Sequence, residues 1–235
     1  MSKKTKTVGI LGGMGPLATA DLFQKIILHT RADCDQEHLH ILVDNNTNIP
    51  DRTNAILSSG TDPVPEMLSS AKRLAVAGAD FLIMPCNTAH FFYPTIAAAV
   101  EIPVLHMIRE TAARLSGAGV KKAGLLSTSG TIRSGIYARE LHERGIEVLQ
   151  PDDEGQREVM HVIYDVIKAG RTAYDSSFFR KTCMDLLAGG AECLILGCTE
   201  LPPAFAAFGI ELPHVDPTLI LAEAAIRFAG AEYVP

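Results

Sequence analysis

The sequence predicts an α/β protein of two pseudo-symmetric, Rossmann-like units, each with a mostly parallel four-stranded sheet. Three observations predict it. Short β-rich runs alternate with helical stretches along all 235 residues, the rhythm of parallel sheets covered by helices. The stretches Gly78–His90 (GADFLIMPCNTAH) and Gly190–Pro202 (GAECLILGCTELP) repeat one pattern: a Gly-Ala-acid lead-in, an apolar run, then Cys followed by Thr within two residues. Val8-Gly-Ile-Leu11 also matches Ala123-Gly-Leu-Leu126 at an offset of 123 − 8 = 115, against 198 − 86 = 112 for the cysteines, so a three-residue deletion reconciles the halves.

Taken in order, the first half carries expected strands near Val8–Leu11, Leu39–Asn45, Phe81–Pro85 and Val104–Met107. The second carries them near Ala123–Ser127, Glu147–Gln150, Cys193–Leu196 and His214–Val215. Helical periodicity marks Pro16–Arg31, Pro65–Ala77, Gly155–Ala169 and Phe178–Ala188. A last helix, Pro217–Gly230, is expected to pack back on the first unit. The expected domains are 1–107 with 217–235, and 108–216. Both cysteines fall at strand ends, so the expected active site is the cleft between the units, because ligands in such sheets bind beyond the carboxyl ends of strands.

Composition narrows the function. Lysine plus arginine number 21 against 27 acids, a net charge of −6, which argues against nucleic acid as the main partner. No apolar run approaches the roughly 18 residues of a membrane span. The first apolar run is cut by Gly12 and Gly13 before it reaches signal-peptide length. Five cysteines without dense spacing suit a reducing cytoplasm.

Cys86 and Cys198 are the leading catalytic candidates. A single cysteine after an apolar strand is usually a buried structural residue. Two at equivalent positions of a repeat, each opening a polar turn, point instead to a facing thiol pair that removes a proton from one side of a carbon and returns one to the other. Only a thiolate is a good base, and a helix start lowers a thiol pKa, so one thiolate is expected. Cys34, Cys183 and Cys193 lack this context and read as structural.

Gly13-x-Gly15-x-x-Ala18 follows a strand and opens a helix, as a dinucleotide fingerprint does. Asp44 lies 44 − 13 = 31 residues beyond Gly13, later than the usual ~20, and a carboxylate is the preferred occupant of this helix start. In NNTNIPDRT, Arg52 could grip a carboxylate and Asp51 could tune a thiol, although composition alone favours a turn. Asn87, Thr88, Thr199 and Glu200 flank the cysteines with polar groups. Glu200 also suits a helix first turn and Lys168 a helix C-terminus. His90 follows Cys86 by four residues and reads either as a thiolate partner or as a hydrogen-bonded structural histidine.

GILGGMGPLATAD, NIPDRT, MPCNTAH and LGCTE together resemble the aspartate/glutamate racemase family, nearest in pattern to its aspartate racemase branch, and the resemblance covers essentially the whole chain. It implies a cofactor-independent racemase, without pyridoxal phosphate or metal, that is commonly a homodimer. It maps the catalytic cysteines to Cys86 and Cys198 and the assisting acids to Asp51 and Glu200. Arg52 and Lys168 match positions that recognise the substrate side-chain carboxylate, and Met14, Asn87, Thr88 and Thr199 match substrate-lining positions. The resulting expectation is two-base racemisation of aspartate, with glutamate a further substrate. The alternatives are a decarboxylase or maleate-type isomerase on the same thiols, a nucleotide-binding module, and a catalytically silent amino-acid sensor.

Overall fold

The computed structural model describes residues 5–58, 60–171 and 173–235. The chain runs β1 (Val8–Gly12), α1 (Pro16–His29), β2 (Ile41–Asn45), α2 (Arg52–Leu57), α3 (Val64–Val76), β3 (Phe81–Ile83), α4 (Tyr93–Ala98) and α5 (Met107–Gly117). It continues with β4 (Lys122–Ser127), α6 (Ser129–Ser134), α7 (Ile136–His142), β5 (Glu147–Leu149), α8 (Asp153–His161) and α9 (Ser177–Ala188). Last come β6 (Cys193–Gly197), α10 (Leu201–Ala207), β7 (His214–Val215) and α11 (Pro217–Ala229). Two compact units result, Met1–Glu110 with Thr218–Pro235, and Thr111–Pro217. Among the described residues no helix is long and apolar enough to cross a membrane, and no group of three or more His, Cys, Asp or Glu could hold a metal ion.

The first unit has a parallel sheet in the order β2-β1-β3. Its central strand is buried at every residue, as expected of a strand covered on both faces. Leu22 and Ile26 of α1, with Leu221 and Ile226 of α11, share a core with Val8 and Ile10. Met67, Ala71 and Leu74 of α3 share another with Leu11 and Leu82. The expected fourth strand at Val104–Met107 is corrected to a single parallel bridge, Leu82 to Val104. Pro103 lends its carbonyl to the Leu82 N–H but has no N–H of its own. Three residues after Val104, Met107 already opens α5, which leaves no room for a ladder.

The second unit has four parallel strands in the order β5-β4-β6-β7. Leu126, Leu194 and Leu196 pack with Val159, Phe179 and Phe205. The helix expected over Gly155–Ala169 is α8 followed by a π-helical turn, Val162–Ile167. The wider turn shows in the Lys168 N–H bonding to the Ile163 carbonyl, five residues back.

The repeated Gly-Ala-acid lead-in has one physical job in both units. Gly78 and Gly190 each sit at φ +99°, the left-handed region that ends the preceding helix. The acid then caps the start of the neighbouring central strand. Asp80 accepts from the Thr7 N–H at 2.7 Å, and Glu192 accepts from the Lys121 and Lys122 N–H groups at 2.7 and 3.0 Å. The motif therefore sets where the central strand starts relative to the strand that carries the cysteine. Replacing Glu192 by Ala should cost about 1 kcal/mol of unfolding free energy, the worth of a typical hydrogen bond. Asp80→Ala should cost no more, because it loses one acceptor contact rather than two; urea denaturation at neutral pH measures both.

Candidate active site

Cys86 follows the fully buried β3 and turns the chain through a Cys86 N–H to Met84 carbonyl bond of 2.9 Å. A 3-10 turn, Thr88–Phe92, leads into α4. Cys86, Asn87, Thr88 and His90 are all buried. His90 is a structural partner, not a thiolate partner. One ring nitrogen, Nδ1, lies 2.8 Å from the Cys86 carbonyl, and the other, Nε2, accepts from the Met107 N–H at 3.1 Å. Burial, reinforced by the charge of His106, pushes its pKa down to about 3, so the ring is neutral at physiological pH.

The glycine-rich loop is closed on itself. The Gly13 N–H donates to Thr19 Oγ1 at 2.9 Å, and that hydroxyl donates to the Gly15 carbonyl at 3.0 Å. Gly13 sits at φ +90°, and a Cβ there would stand 2.2 Å from the Asn46 carbonyl oxygen. Close approach to the Asn46 backbone thus accounts for Gly13 without a nucleotide phosphate. Met14 is buried in a cluster with Ile49 and Cys86, so the loop, the NIPDRT segment and the first cysteine do come together.

Arg52 differs from a poised carboxylate clamp. It is 7 % exposed, and its guanidinium donates to the Met14 carbonyl at 2.8 Å, to Pro50 at 3.0 Å and to Ile49 at 3.3 Å. It ties its own loop to the glycine loop. Asp51 caps α2, its Oδ1 accepting from the Asn54 N–H at 2.8 Å.

In the second unit four of the residues singled out in the sequence come together. Cys198, directly after β6, donates its S–H to Glu200 Oε2 at 2.9 Å. The Thr199 hydroxyl donates to the same oxygen at 3.1 Å. Lys168 Nζ lies 3.8 Å from Glu200 Oε1 and 4.6 Å above the Tyr164 ring. The Leu201 N–H holds the Cys198 carbonyl at 3.0 Å. Burial and the Glu200 charge raise the Cys198 pKa well above the usual thiol value, with Lys168 opposing. Of the two cysteines for which one thiolate was expected, Cys198 is therefore the one that keeps its proton at neutral pH.

All five cysteines are free. Cys183 is pushed up to about 12 by burial and Cys193 is raised by the same cause, which fits their structural reading, while Cys34 is exposed. Sequence reasoning passed over Thr19 and Tyr164. Thr19 could have been found as the hydroxyl four residues beyond Gly15, one helical turn on. Tyr164 stands four residues before Lys168, the spacing of side-chain neighbours along the expected helix, and that is the signal that could have found it.

The Asp/Glu/Hydantoin racemase family model matches residues 11–225 of the chain. The structure is similar to that of an aspartate racemase from Picrophilus torridus, with a TM-score of 0.82 and 33% identity, covering 97% of this chain and 96% of that one. It is similar also to an aspartate racemase homologue from Pyrococcus horikoshii OT3, with a TM-score of 0.77 and 26% identity over 96% and 99% of the two chains. In sequence it is 29% identical over 224 residues to the broad specificity amino-acid racemase RacX of Bacillus subtilis (strain 168), covering 93% of this chain and 96% of that protein.

The Cys198 environment predicts opposite effects from its two charged neighbours. Glu200→Gln removes a charge that raises the thiol pKa, so Cys198 should be alkylated faster by iodoacetamide at pH 7. Lys168→Met removes a charge that lowers it, so alkylation should slow. Site-resolved mass spectrometry reads both, and equal rates in the two variants would contradict the assignment.

Proposed function

Because the chain belongs to the Asp/Glu/hydantoin racemase family and is an amino-acid racemase of that kind, we propose that its substrate is an acidic amino acid, aspartate first and glutamate second. The proposed chemistry is two-base transfer of the α-proton. The observation that carries the reading is the protonated Cys198, buried and aimed at Glu200 in one copy of a duplicated cysteine motif. A thiol held in that state is a ready proton donor.

The roles follow. Cys86, as thiolate, takes the α-proton; the C–H bond breaks and its electrons pass into the α-carboxylate. Cys198 gives its S–H proton to the opposite face of the carbon and becomes a thiolate, while Cys86 becomes a thiol. The mirror substrate runs the same step backwards. Glu200 accepts the Cys198 S–H hydrogen bond and so orients the thiol. Asp51 serves the first thiol in the corresponding way, from the cap of α2. Asn87, Thr88 and Thr199 supply donors to the charge that develops on the carboxylate, and Met14 lines the site. Lys168 is the cation for the side-chain carboxylate. Arg52 adds charge while holding the Met14 carbonyl. No step calls on a cofactor. The aspartate racemase named among the similar structures supports aspartate, and the breadth of RacX supports testing a panel of amino acids. Five free thiols favour a reducing, cytoplasmic setting.

We also propose that the protein pairs with a second copy through the outer face of α1. Leu17 and Leu28 there are 77% and 64% exposed, with Phe23 and Ile27 beside them. Val43 of the edge strand, in register with Ile10 on the α1 side of the sheet, extends the patch. Together they expose apolar surface on the order of 400 Å², a size that marks interaction sites and would supply the apolar centre of an interface of about 800 Å² per partner. Asp21 and Lys25 at its margin already neutralise each other at 2.6 Å, so the face can meet its own copy without stranding a charge.

Incubation with L-aspartate in heavy water should give D-aspartate carrying α-deuterium, and Cys86→Ser or Cys198→Ser should each lower kcat by on the order of 10²–10⁴. A folded protein that neither exchanges the α-proton of any acidic amino acid nor forms its mirror image would end the reading. Carbon dioxide or a geometric isomer as product would shift it to a decarboxylase or a maleate-type isomerase. For the α1 face, sedimentation should find a dimer that Leu17→Glu combined with Leu28→Glu converts to monomer; a dimer indifferent to both substitutions, or a wild-type monomer, would refute it.

A further inference from the structure

We infer that His90 is a positioning residue for Cys86, holding the peptide that follows the reactive thiol through a side-chain hydrogen bond to the Cys86 carbonyl. The inference builds on the proposed role of Cys86. It starts from a difference between the two copies of the motif. At the common offset of 112, His90 stands where the second copy has Pro202. In the second copy the backbone does the holding, as the Leu201 N–H bonds to the Cys198 carbonyl at 3.0 Å. In the first copy a side chain takes over, with His90 Nδ1 2.8 Å from the Cys86 carbonyl.

The partners fix the tautomer. A backbone N–H can only donate, so the Met107 N–H at 3.1 Å requires Nε2 to accept. The ring proton therefore sits on Nδ1 and points at the Cys86 oxygen. His90 is 2 % exposed, and the rings of Tyr93 and His106 pack beside it at centroid distances of 6.3 and 4.8 Å. The ring can neither flip nor admit water without breaking both bonds. Because the peptide is planar and trans, anchoring the Cys86 carbonyl also turns the Asn87 N–H to the opposite side. One bond thus sets the direction of a backbone donor next to the thiol. Met107 opens α5, so the same ring fastens the cysteine turn to that helix.

Two substitutions separate positioning from packing. His90→Asn keeps an amide donor near the Nδ1 position and loses the acceptor for Met107. His90→Gln keeps an acceptor near the Nε2 position and loses the donor to Cys86. Both should lower the melting temperature to a similar extent. Only His90→Gln should lose kcat, by roughly tenfold or more with KM changed less than about threefold, whereas His90→Asn should stay within about threefold of wild type. The alkylation rate of Cys86, read by mass spectrometry without turnover, should shift in the Gln variant and not in the Asn variant. Equal losses in both, or a larger loss in His90→Asn, would overturn the inference. If the wild type fails to exchange the α-proton, the racemase reading falls, yet the alkylation contrast still judges His90. Should neither variant fold, nitrogen-15 spectra of the wild type decide. A protonated Nδ1 with a bare Nε2 between pH 5 and 8 is expected, and the other tautomer or a cationic ring refutes it.

Discussion

The hydrogen bond from the Cys198 thiol to the Glu200 carboxylate is the constraint around which the second unit is arranged. A carboxylate that is 9 % exposed is costly unless its charge is met. Here one oxygen takes the Cys198 and Thr199 protons and the other faces Lys168. That arrangement needs Lys168 to arrive from a distant segment, and the π-helical turn delivers it. Its N–H reaches back five residues to Ile163, so the turn is wider than an α-helical one and the residues after it point elsewhere than a continuous α-helix would send them. Cys198, for its part, owes its place to β6, whose buried run ends one residue earlier beside the end of β4. The protonation state of the thiol thus depends on strand register, on an irregular helix and on a carboxylate two residues away.

The duplication solved the same mechanical problem once and the chemical problem twice. Both copies end a helix on a left-handed glycine, cap the central strand with the acid two residues later, and run a buried strand to the cysteine. Beyond the cysteine they part. Thr199 and Glu200 correspond to Asn87 and Thr88, so only the second motif brings its own carboxylate. Asp51, the acid that the family resemblance assigns to the first thiol, belongs to another loop and caps α2. Pro202 corresponds to His90, and the carbonyl of each cysteine is consequently held by different means. Identical thiols therefore sit in unlike surroundings.

Much of this was legible in the sequence because it follows from short-range rules. Apolar runs closed by glycine marked the strands, and the repeat located both cysteines. What escaped were features decided by tertiary geometry. Nothing local shows that Val104 would manage one bridge, although Pro103 hints at it. Arg52 reads as a carboxylate clamp from its type, yet its guanidinium donates to three carbonyl groups, an engagement visible only once the Met14 and Ile49 loops are seen to converge on it. Gly13 matched a nucleotide fingerprint by spacing, whereas its real neighbour is the Asn46 backbone from the next loop. The helix-start rule led to one thiolate in the pair without saying which, and burial with the Glu200 charge beside it keeps Cys198 the thiol. Residue type drew attention to these side chains; partners and burial decided their states.

The raised Cys198 pKa bears directly on the chemistry. The carbon-bound α-proton is weakly acidic, so the base that takes it must be strong when ionised, and a raised thiol pKa makes the thiolate a stronger base. The same shift makes the thiolate scarce and the thiol abundant, which suits Cys198 to giving a proton first. The Lys168 charge opposes the shift, and on the proposed reading Lys168 is also the cation for the substrate side chain. A second carboxylate near Lys168 would share its charge with Glu200 and weaken that opposition. Binding an acidic substrate would then hold Cys198 more firmly as the acid, whereas a neutral amino acid would leave the Lys168–Glu200 pair as it is. Selectivity for acidic side chains and the protonation state of the thiol would be set by the same ammonium group.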